Sequence, residues 1–439
     1  MPDFTPTLVM SVHGIRTYAE WQLTLSETLG DAGIQFKHRR FGYYPVTSFL
    51  RAARNQAQVD AFRTWYDGAL RASPQVNLDD PFKRPSLIAH SFGTFIVAYA
   101  MLKYPEIKLD KLILCGCILP TDFDWHTLFV RDQLGRVRNE CGGQDVWVKM
   151  ARYAVKGAGD AGRAGFRAIG TKCSDTFYDY QRHSDFFSEG HIKSTWLPFL
   201  KLSPSTLRIL HGGDIDDFDV FQRHIHRVRA VDRVRFGRDP VHERVALPFR
   251  YSEKWRSVNP DIYTFVIDRT TSKACGYINA MPLEDWAFKE VTGGRLRDNQ
   301  IPGEAVRPYL PDSSMKLYFM SIAIAPRSSR AGDGLYSEPV ESLLDAFFGR
   351  LRMYARKQRI RITEVAAIGW TAEGTRMCER LFGMHRIGDL TVEGVKDHVS
   401  DGTVVSHAIY HVNLERSDLA TASLHRGLRE LLQLYEEMK

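Results

Sequence analysis

Residues 86 to 93 read Ser-Leu-Ile-Ala-His-Ser-Phe-Gly. Ser86 to His90 have the apolar character of a buried strand, and the apolar stretch beginning at Phe92 predicts a helix immediately behind it. A chain that passes from strand to helix without a linker turns sharply at Ser91. Side chains two positions before and two after that apex would collide with the neighbouring strand and helix, so small residues are needed there. Ala89 and Gly93 supply them, in a Gly-x-Ser-x-Gly pattern whose first glycine carries one extra methyl.

The flanking sequence gives this turn a context. Upstream, the run Leu8 to Val12 ends in His13-Gly14-Ile15-Arg16, and helical spacing follows from residue 19 to 29. Gly14 lets that backbone approach the serine, so the amide of Ile15, or of Arg16, converges with the amide of Phe92 as two donors for a developing oxyanion. Downstream, Leu112 to Cys117 and Arg136 to Cys141 read as buried strands, the second ending in Gly142-Gly143-Gln144-Asp145, and residues 176 to 181 form the next, followed by His183. Strands separated by helical stretches predict a parallel sheet with helices on both faces, whose ligands gather at the strand carboxyl ends. Ser91, Asp145 and His183 each fall just past such an end. In this order residues 1 to 203 resemble the α/β-hydrolase superfamily, which implies a Ser-His-Asp triad.

A serine hydroxyl needs an imidazole to remove its proton, and the imidazole needs a carboxylate to fix its tautomer. His183 is the expected base and Asp145 its orienter. His191 is the rival base, and Asp122 or Asp124 the rival acid. His13 and His90 flank the pocket as positioning groups. Residues 146 to 172 are long enough to cover the site, and their glycine-rich part, 156 to 165, reads as a mobile loop. The substrate is a small molecule or an acyl compound: esters, thioesters, lipids, amides and peptides share the same tetrahedral oxyanion.

At 439 residues the chain exceeds what one core organises. Residues 204 to 245 carry Asp214, Asp216, Asp217 and Asp219, then Arg223, Arg227, Arg229, Arg233, Arg235, Arg238 and Arg244, which reads as a solvated charged linker. Beyond it, residues 262 to 267 and 274 to 280 form a hairpin. The apolar strand Leu317 to Ile324 leads through Arg327, Arg330, Gly332 and Gly334 into a helix from about 336 to 356. A strand, a glycine-containing turn and a helix amino terminus make a pyrophosphate cradle. A strand at 362 to 370, a short helix at 371 to 381 ending in Phe382-Gly383-Met384, and a strand at 406 to 412 complete the series. Residues 246 to 414 thereby resemble the GNAT family of acyl-CoA-dependent N-acyltransferases, an α+β fold with a mixed sheet. The resemblance implies acetyl-CoA or another acyl-CoA as cofactor, its pantetheine paired with the strand backbone at Ile322 and Ile324 and its pyrophosphate near Arg327, Arg330, Gly332 and Gly334. Two departures stand out: Ser329 occupies the place of the family's basic residue, and the family's tyrosine acid has no counterpart, its place falling near Glu379.

Cys115, Cys117, Cys141, Cys173, Cys275 and Cys378 lie mostly inside predicted strands or helices with no regular pairing, as in a reducing, cytoplasmic setting, and Cys115-Gly116-Cys117 lacks the partners of a metal site. The beginning of the chain has no secretory pattern, and no apolar stretch is long enough to span a bilayer. The net charge of +7, with pI near 9.0, is modest for this length and does not indicate nucleic-acid binding. Residues 415 to 439 place Leu419, Leu424, Leu428, Leu431 and Leu434 on one stripe of a helix opened by Ser417, expected to pack on its own domain, with a protein partner or second copy as the other reading. The functional expectation is a cytoplasmic serine hydrolase carrying a GNAT-like acyl-CoA domain. Two others stand beside it: an N-acyltransferase with a non-catalytic hydrolase fold, and a partner-regulated effector of toxin or host-defence type.

Overall fold

Apolar strands that read as continuous runs need cover on both sides, and the first sheet has it. In the computed structural model, which describes residues 4–13, 20–39, 52–154, 157–166, 172–236, 249–325, 338–396, 399–415 and 424–438, the chain divides into two units, Met1–Thr206 and Leu207–Lys439. The first holds β1 (Val9–Val12), β2 (Phe36–Arg39), β3 (Ser86–His90), β4 (Leu109–Cys115), β5 (Leu134–Gly142) and β6 (Cys173–Tyr178) in the order β2-β1-β3-β4-β5-β6, every pairing parallel. Alternate side chains divide between the faces. Leu87, Ala89, Leu112 and Leu114 pack with the helices Ala52–Arg71 and Phe92–Lys103, whereas Ile88, Ile113 and Cys115 pack with Glu20–Asp31 and the helical turns around Ile192, Trp196 and Leu200.

The second unit holds β7 (Leu207–His211), β8 (Tyr263–Asp268), β9 (Lys273–Leu283), β10 (Ser314–Ile324), β11 (Arg361–Gly369), β12 (His385–Lys396) and β13 (Val399–Asn413), in the order β12-β13-β11-β10-β9-β8-β7. Only β10 and β11 run parallel; the other neighbours are antiparallel. Phe319 and Ile324 face the helices Glu338–Gln358, Ala372–Phe382 and Arg426–Glu437. Tyr318, Met320 and Ala323 face Phe218–Phe236, Phe249–Val258 and Asp285–Thr292. The chain is therefore an α/β unit with a parallel sheet followed by an α+β unit with a mixed sheet.

Three expectations change. The segment read as a charged linker from 204 to 245 is folded over its described part: β7 pairs with β8, and the helix Phe218–Phe236 buries Phe221, Ile225, Val228 and Val231 in the core of the second unit, with Arg223 and Arg227 exposed. The second unit accordingly begins at Leu207, not 246. The glycine-rich run is tied down in its described part, since the N–H groups of Gly159 and Gly162 donate to the carbonyls of Ile118 and Cys117, each at 2.8 Å. The final helix starts at Arg426, capped by His425, and buries Leu428, Leu431, Leu434 and Tyr435 against its own unit; Leu419 and the predicted opening at Ser417 lie outside the described residues. The Tyr435 hydroxyl accepts the Ile362 N–H at 2.9 Å. All six cysteines are buried and unbridged. No described helix is long and apolar enough to cross a membrane.

Candidate active site

The turn after β3 carries the backbone strain its sequence demanded. Ser91 has φ 54° and ψ −127°, a conformation that non-glycine residues rarely adopt. Its N–H donates to the Cys115 carbonyl at 3.0 Å, and its own carbonyl accepts the N–H and the hydroxyl of Thr94, at 2.9 and 2.6 Å. The Thr94 hydroxyl in turn accepts the Ile118 N–H, fastening the turn to the loop behind β4. Ser91 makes no side-chain cap bond to the helix that follows, so its hydroxyl is not spent on the fold. Gly93 is needed because a Cβ there would stand 2.5 Å from the Val12 carbonyl oxygen.

The acid and the base are brought together by a glycine turn. A Cβ on Gly142 would meet the Gln181 carbonyl oxygen at 2.8 Å, and one on Gly143 the Asp179 carbonyl oxygen at 2.7 Å. Their absence lets the end of β5 lie against the loop after β6. Asp145 is fully buried. Its Oδ1 accepts the Val148 N–H at 3.0 Å, capping the helix Val146–Ala154, and its Oδ2 accepts from His183 Nδ1 at 2.8 Å. With Nδ1 donating, Nε2 is left as the basic nitrogen of the ring. His183 lies over Gly116, just past β4, where a Cβ would be 2.8 Å from the imidazole.

His90, next to Ser91, is wholly buried and donates from Nε2 to the His183 carbonyl at 3.0 Å. The two rings are 4.6 Å apart, and Phe187 and Trp21 close the other sides. Burial, then the neighbouring His183 and His13, hold the His90 pKa well below the ordinary histidine value, which keeps the ring neutral. His90 thus joins the serine turn to the backbone of the base. His13 is buried at the end of β1. Phe92 is the first residue of its helix, its N–H at the helix amino terminus beside Ser91, whereas Gly14 and Ile15 lie outside the described residues.

Two of the rival residues, Asp124 and His191, have other employment. Asp124 caps the helix Trp125–Val130 through the N–H and hydroxyl of Thr127. His191 contacts the fully buried Glu140 from Nε2 at 2.9 Å, among Tyr178, Phe186 and Trp196. Burial alone would raise Glu140, but His191 and Arg138 outweigh it and hold the carboxyl below its usual range.

In the second unit, the pairing of β10 with β11 stops at Phe319 opposite Ala367, at a bulge after which Ser321 to Ile324 pair with β9 only, among the described residues. Among the described residues, Ile322 and Ile324 therefore have a strand partner on the β9 side only. Arg327, Arg330, Gly332 and Gly334 lie outside the described residues. Glu379 accepts the Tyr410 hydroxyl at 3.1 Å, placing a tyrosine near the position where the sequence offered none. Asp298, which sequence reasoning passed over, accepts the Tyr318 hydroxyl and the Trp370 indole N–H, the latter at 3.2 Å. Burial pushes its carboxyl up to about 6 against those two hydrogen bonds. Glu341, Asp345 and His425 gather as one candidate metal cluster among the described residues. His425 Nδ1 accepts the Gly427 N–H at 3.1 Å, which leaves the ring proton on Nε2, 3.4 Å from a Glu341 carboxylate oxygen and without a hydrogen-bond partner among the described residues.

No family model matches the chain, and no curated protein sequence matches it. Among solved structures, it is similar to an uncharacterized protein from Bacillus cereus at 13% identity and TM-score 0.31, covering 44% of this chain and 58% of that one. It is similar to a GNAT-family acetyltransferase from Bacillus anthracis at 11% identity and TM-score 0.26, covering 49% and 99%. A third likeness is to an alpha-beta serine hydrolase homologue from Coxiella burnetii at 13% identity and TM-score 0.28, covering 45% and 86%. The fold assignment rests on the strand order and register given above.

Proposed function

We propose that the first unit is an acyl hydrolase using Ser91 as nucleophile, His183 as general base and then acid, and Asp145 as the orienting carboxylate. The observation that carries this reading is the Asp145–His183 hydrogen bond of 2.8 Å, with His183 against His90, the residue before a serine whose strained backbone is held from both sides. His183 Nε2 takes the Ser91 proton as the hydroxyl oxygen attacks the acyl carbon, and returns it to the leaving group. The Phe92 N–H, with Ile15 as the expected second donor, holds the oxyanion. Val146, Trp147, Met150, Phe177 and Tyr180 are exposed on the segments adjoining Asp145 and His183, which supports an acyl group as substrate. Hydrolysis of a p-nitrophenyl ester series by the full chain tests this: Ser91→Ala should lower the rate by roughly 10⁴- to 10⁶-fold, with His191→Gln as the folded control. Equal rates for Ser91→Ala and wild type would refute it.

The second unit is read as an acyl-CoA-binding unit, favoured by the split between β10 and β11. The backbone at Ile322 and Ile324 would pair with the amides of the cofactor arm. When bound, acyl-CoA supplies a thioester acyl group for transfer; the chain's own part is to hold that arm and to handle the acceptor's proton.

A further inference from the structure

The helix Val146–Ala154 is tied to the first unit's site through one carboxyl: Asp145 accepts the Val148 N–H with Oδ1 and the His183 ring N–H with Oδ2. A surface helix turns its apolar side chains inward. This one buries Val148 but leaves Val146, Trp147 and Met150 more than half exposed among the described residues, with Lys149 exposed beside them. The Gly143 and Gln144 N–H groups donate to the carbonyls of Tyr178 and Gln181, at 2.9 and 3.2 Å, so the turn entering the helix runs alongside the turn that leads to His183. Phe177 and Tyr180, at the end of β6 and in that second turn, are also more than half exposed. Single exposed apolar residues are ordinary, whereas five on two hydrogen-bonded turns beside the triad mark a surface that meets something apolar.

The unit's net charge is gathered on the same segment. Residues 146 to 172 contain Lys149, Arg152, Lys156, Arg163, Arg167 and Lys172 against Asp160 alone, and over the rest of Met1–Thr206 basic and acidic residues are equal in number. Arg163 reaches back to the turn before the helix, donating to the Gly143 carbonyl at 3.0 Å. Exposed Trp and Met on a short helix that opens a strongly basic segment make the pattern of an element lying in the headgroup layer of an anionic bilayer, its apolar side chains in the acyl boundary and its cations among the phosphates. A second copy of the chain at this face would set two segments of like charge together.

We propose that the helix Val146–Ala154 docks on an anionic lipid surface and that the hydrolase takes its acyl substrate from that surface. The substrate half of this inference rests on the Ser91 reading; the docking half does not. Val146, Trp147 and Met150 enter the boundary between headgroups and acyl chains, and Lys149 meets the phosphates. Because the docked helix begins at Asp145, docking brings the depth at which lipids carry their ester bonds to the side of the unit that holds His183 and Ser91. The reaction is then hydrolysis of a lipid ester, water supplying the hydroxyl of the released fatty acid and the proton of the released alcohol.

The test uses the full chain with vesicles of phosphatidylcholine, alone or with added phosphatidylglycerol. Sedimentation of the Ser91→Ala chain reads docking without turnover, and should show binding at least about 10-fold tighter to the anionic vesicles, weakening as salt is raised. Trp147→Ser combined with Met150→Ser should weaken that binding roughly 10- to 100-fold, and Lys149→Glu roughly 5- to 25-fold. Brominated acyl chains should quench the tryptophan fluorescence of the bound chain, and the quenching should be largely lost in Trp147→Phe, which keeps the apolar contact. Hydrolysis of a long-chain p-nitrophenyl ester carried in the anionic vesicles, taken relative to a water-soluble p-nitrophenyl ester, should fall in the serine double variant in parallel with binding. Equal binding to both kinds of vesicle, or binding and quenching unchanged in these variants, would overturn the docking helix. A chain that binds no vesicle but forms a dimer dispersed by the serine double variant would give the face to a second copy and overturn the lipid reading. A chain that docks but hydrolyses only the soluble ester would overturn the lipid substrate alone, and one that docks and hydrolyses neither would overturn the hydrolase reading beneath it.

Discussion

Each unit buries a carboxyl near its sheet, Asp145 just past β5 and Asp298 against Tyr318 of β10 and the Trp370 that follows β11, and the two are treated differently. Asp145 faces an imidazole and a backbone N–H that caps through it, so its charge has a partner able to become positive. Asp298 faces a phenol and an indole, which can donate hydrogen bonds but cannot share charge, and burial wins, holding it at about 6. The first arrangement suits a carboxylate that orients an imidazole. The second leaves the protonation of the carboxyl to burial and its two donors.

The contrast is broken most sharply at Asp145. Asp145→Asn keeps the cap but presents the wrong partner to Nδ1, and should lower ester hydrolysis by roughly 10⁴-fold, whereas Asp124→Asn should cost little. Rates measured for both variants would invert this ranking if Asp124 were the orienting acid.

At Asp298 the same substitution should stabilise. Its folded pKa is raised, so the unfolded chain ionises from about pH 4 while the fold resists until about 6; stability falls as pH rises through that window and stays lower above it. Asp298→Asn should therefore gain about 1–3 kcal/mol at pH 7.5 and much less at pH 4.5, in chemical denaturation of the second unit. A loss of stability at both pH values would mean the carboxylate is a structural tie.

The smallest effect is expected at His90. Its folded pKa is depressed, so the unfolded state binds the proton first, and stability of the first unit should fall as pH drops below about 6.5, by up to about 1.4 kcal/mol per pH unit. His90→Gln should flatten that slope; an unchanged slope would assign it to another group.

Much of the first site could be read from residues because it is built from local rules. The turn at Ser91 needs small neighbours, and the turn before Asp145 needs glycines, so both leave a mark within a few positions. The helix Phe218–Phe236 was obscured for the opposite reason. Phe221, Ile225, Val228 and Val231 follow a helical stripe, but the arginines between them dominate the composition, and a charged run was mistaken for a solvated connector. Asp298 left no local signal. Its partners Tyr318 and Trp370 lie far along the chain, and only the sheet brings them to it. The mixed sheet is legible in outline, yet β7 falls inside the charged run and β12, with Gly388 and alternating charges, lacks the apolar density of β8 to β11.

The account stands or falls on Ser91 being an activated nucleophile. Treating the native full chain with a fluorophosphonate probe and locating the adduct by mass spectrometry should place it on Ser91, with labelling abolished in Ser91→Ala and strongly slowed in His183→Ala. Labelling at another residue, or none on a folded chain, would contradict it.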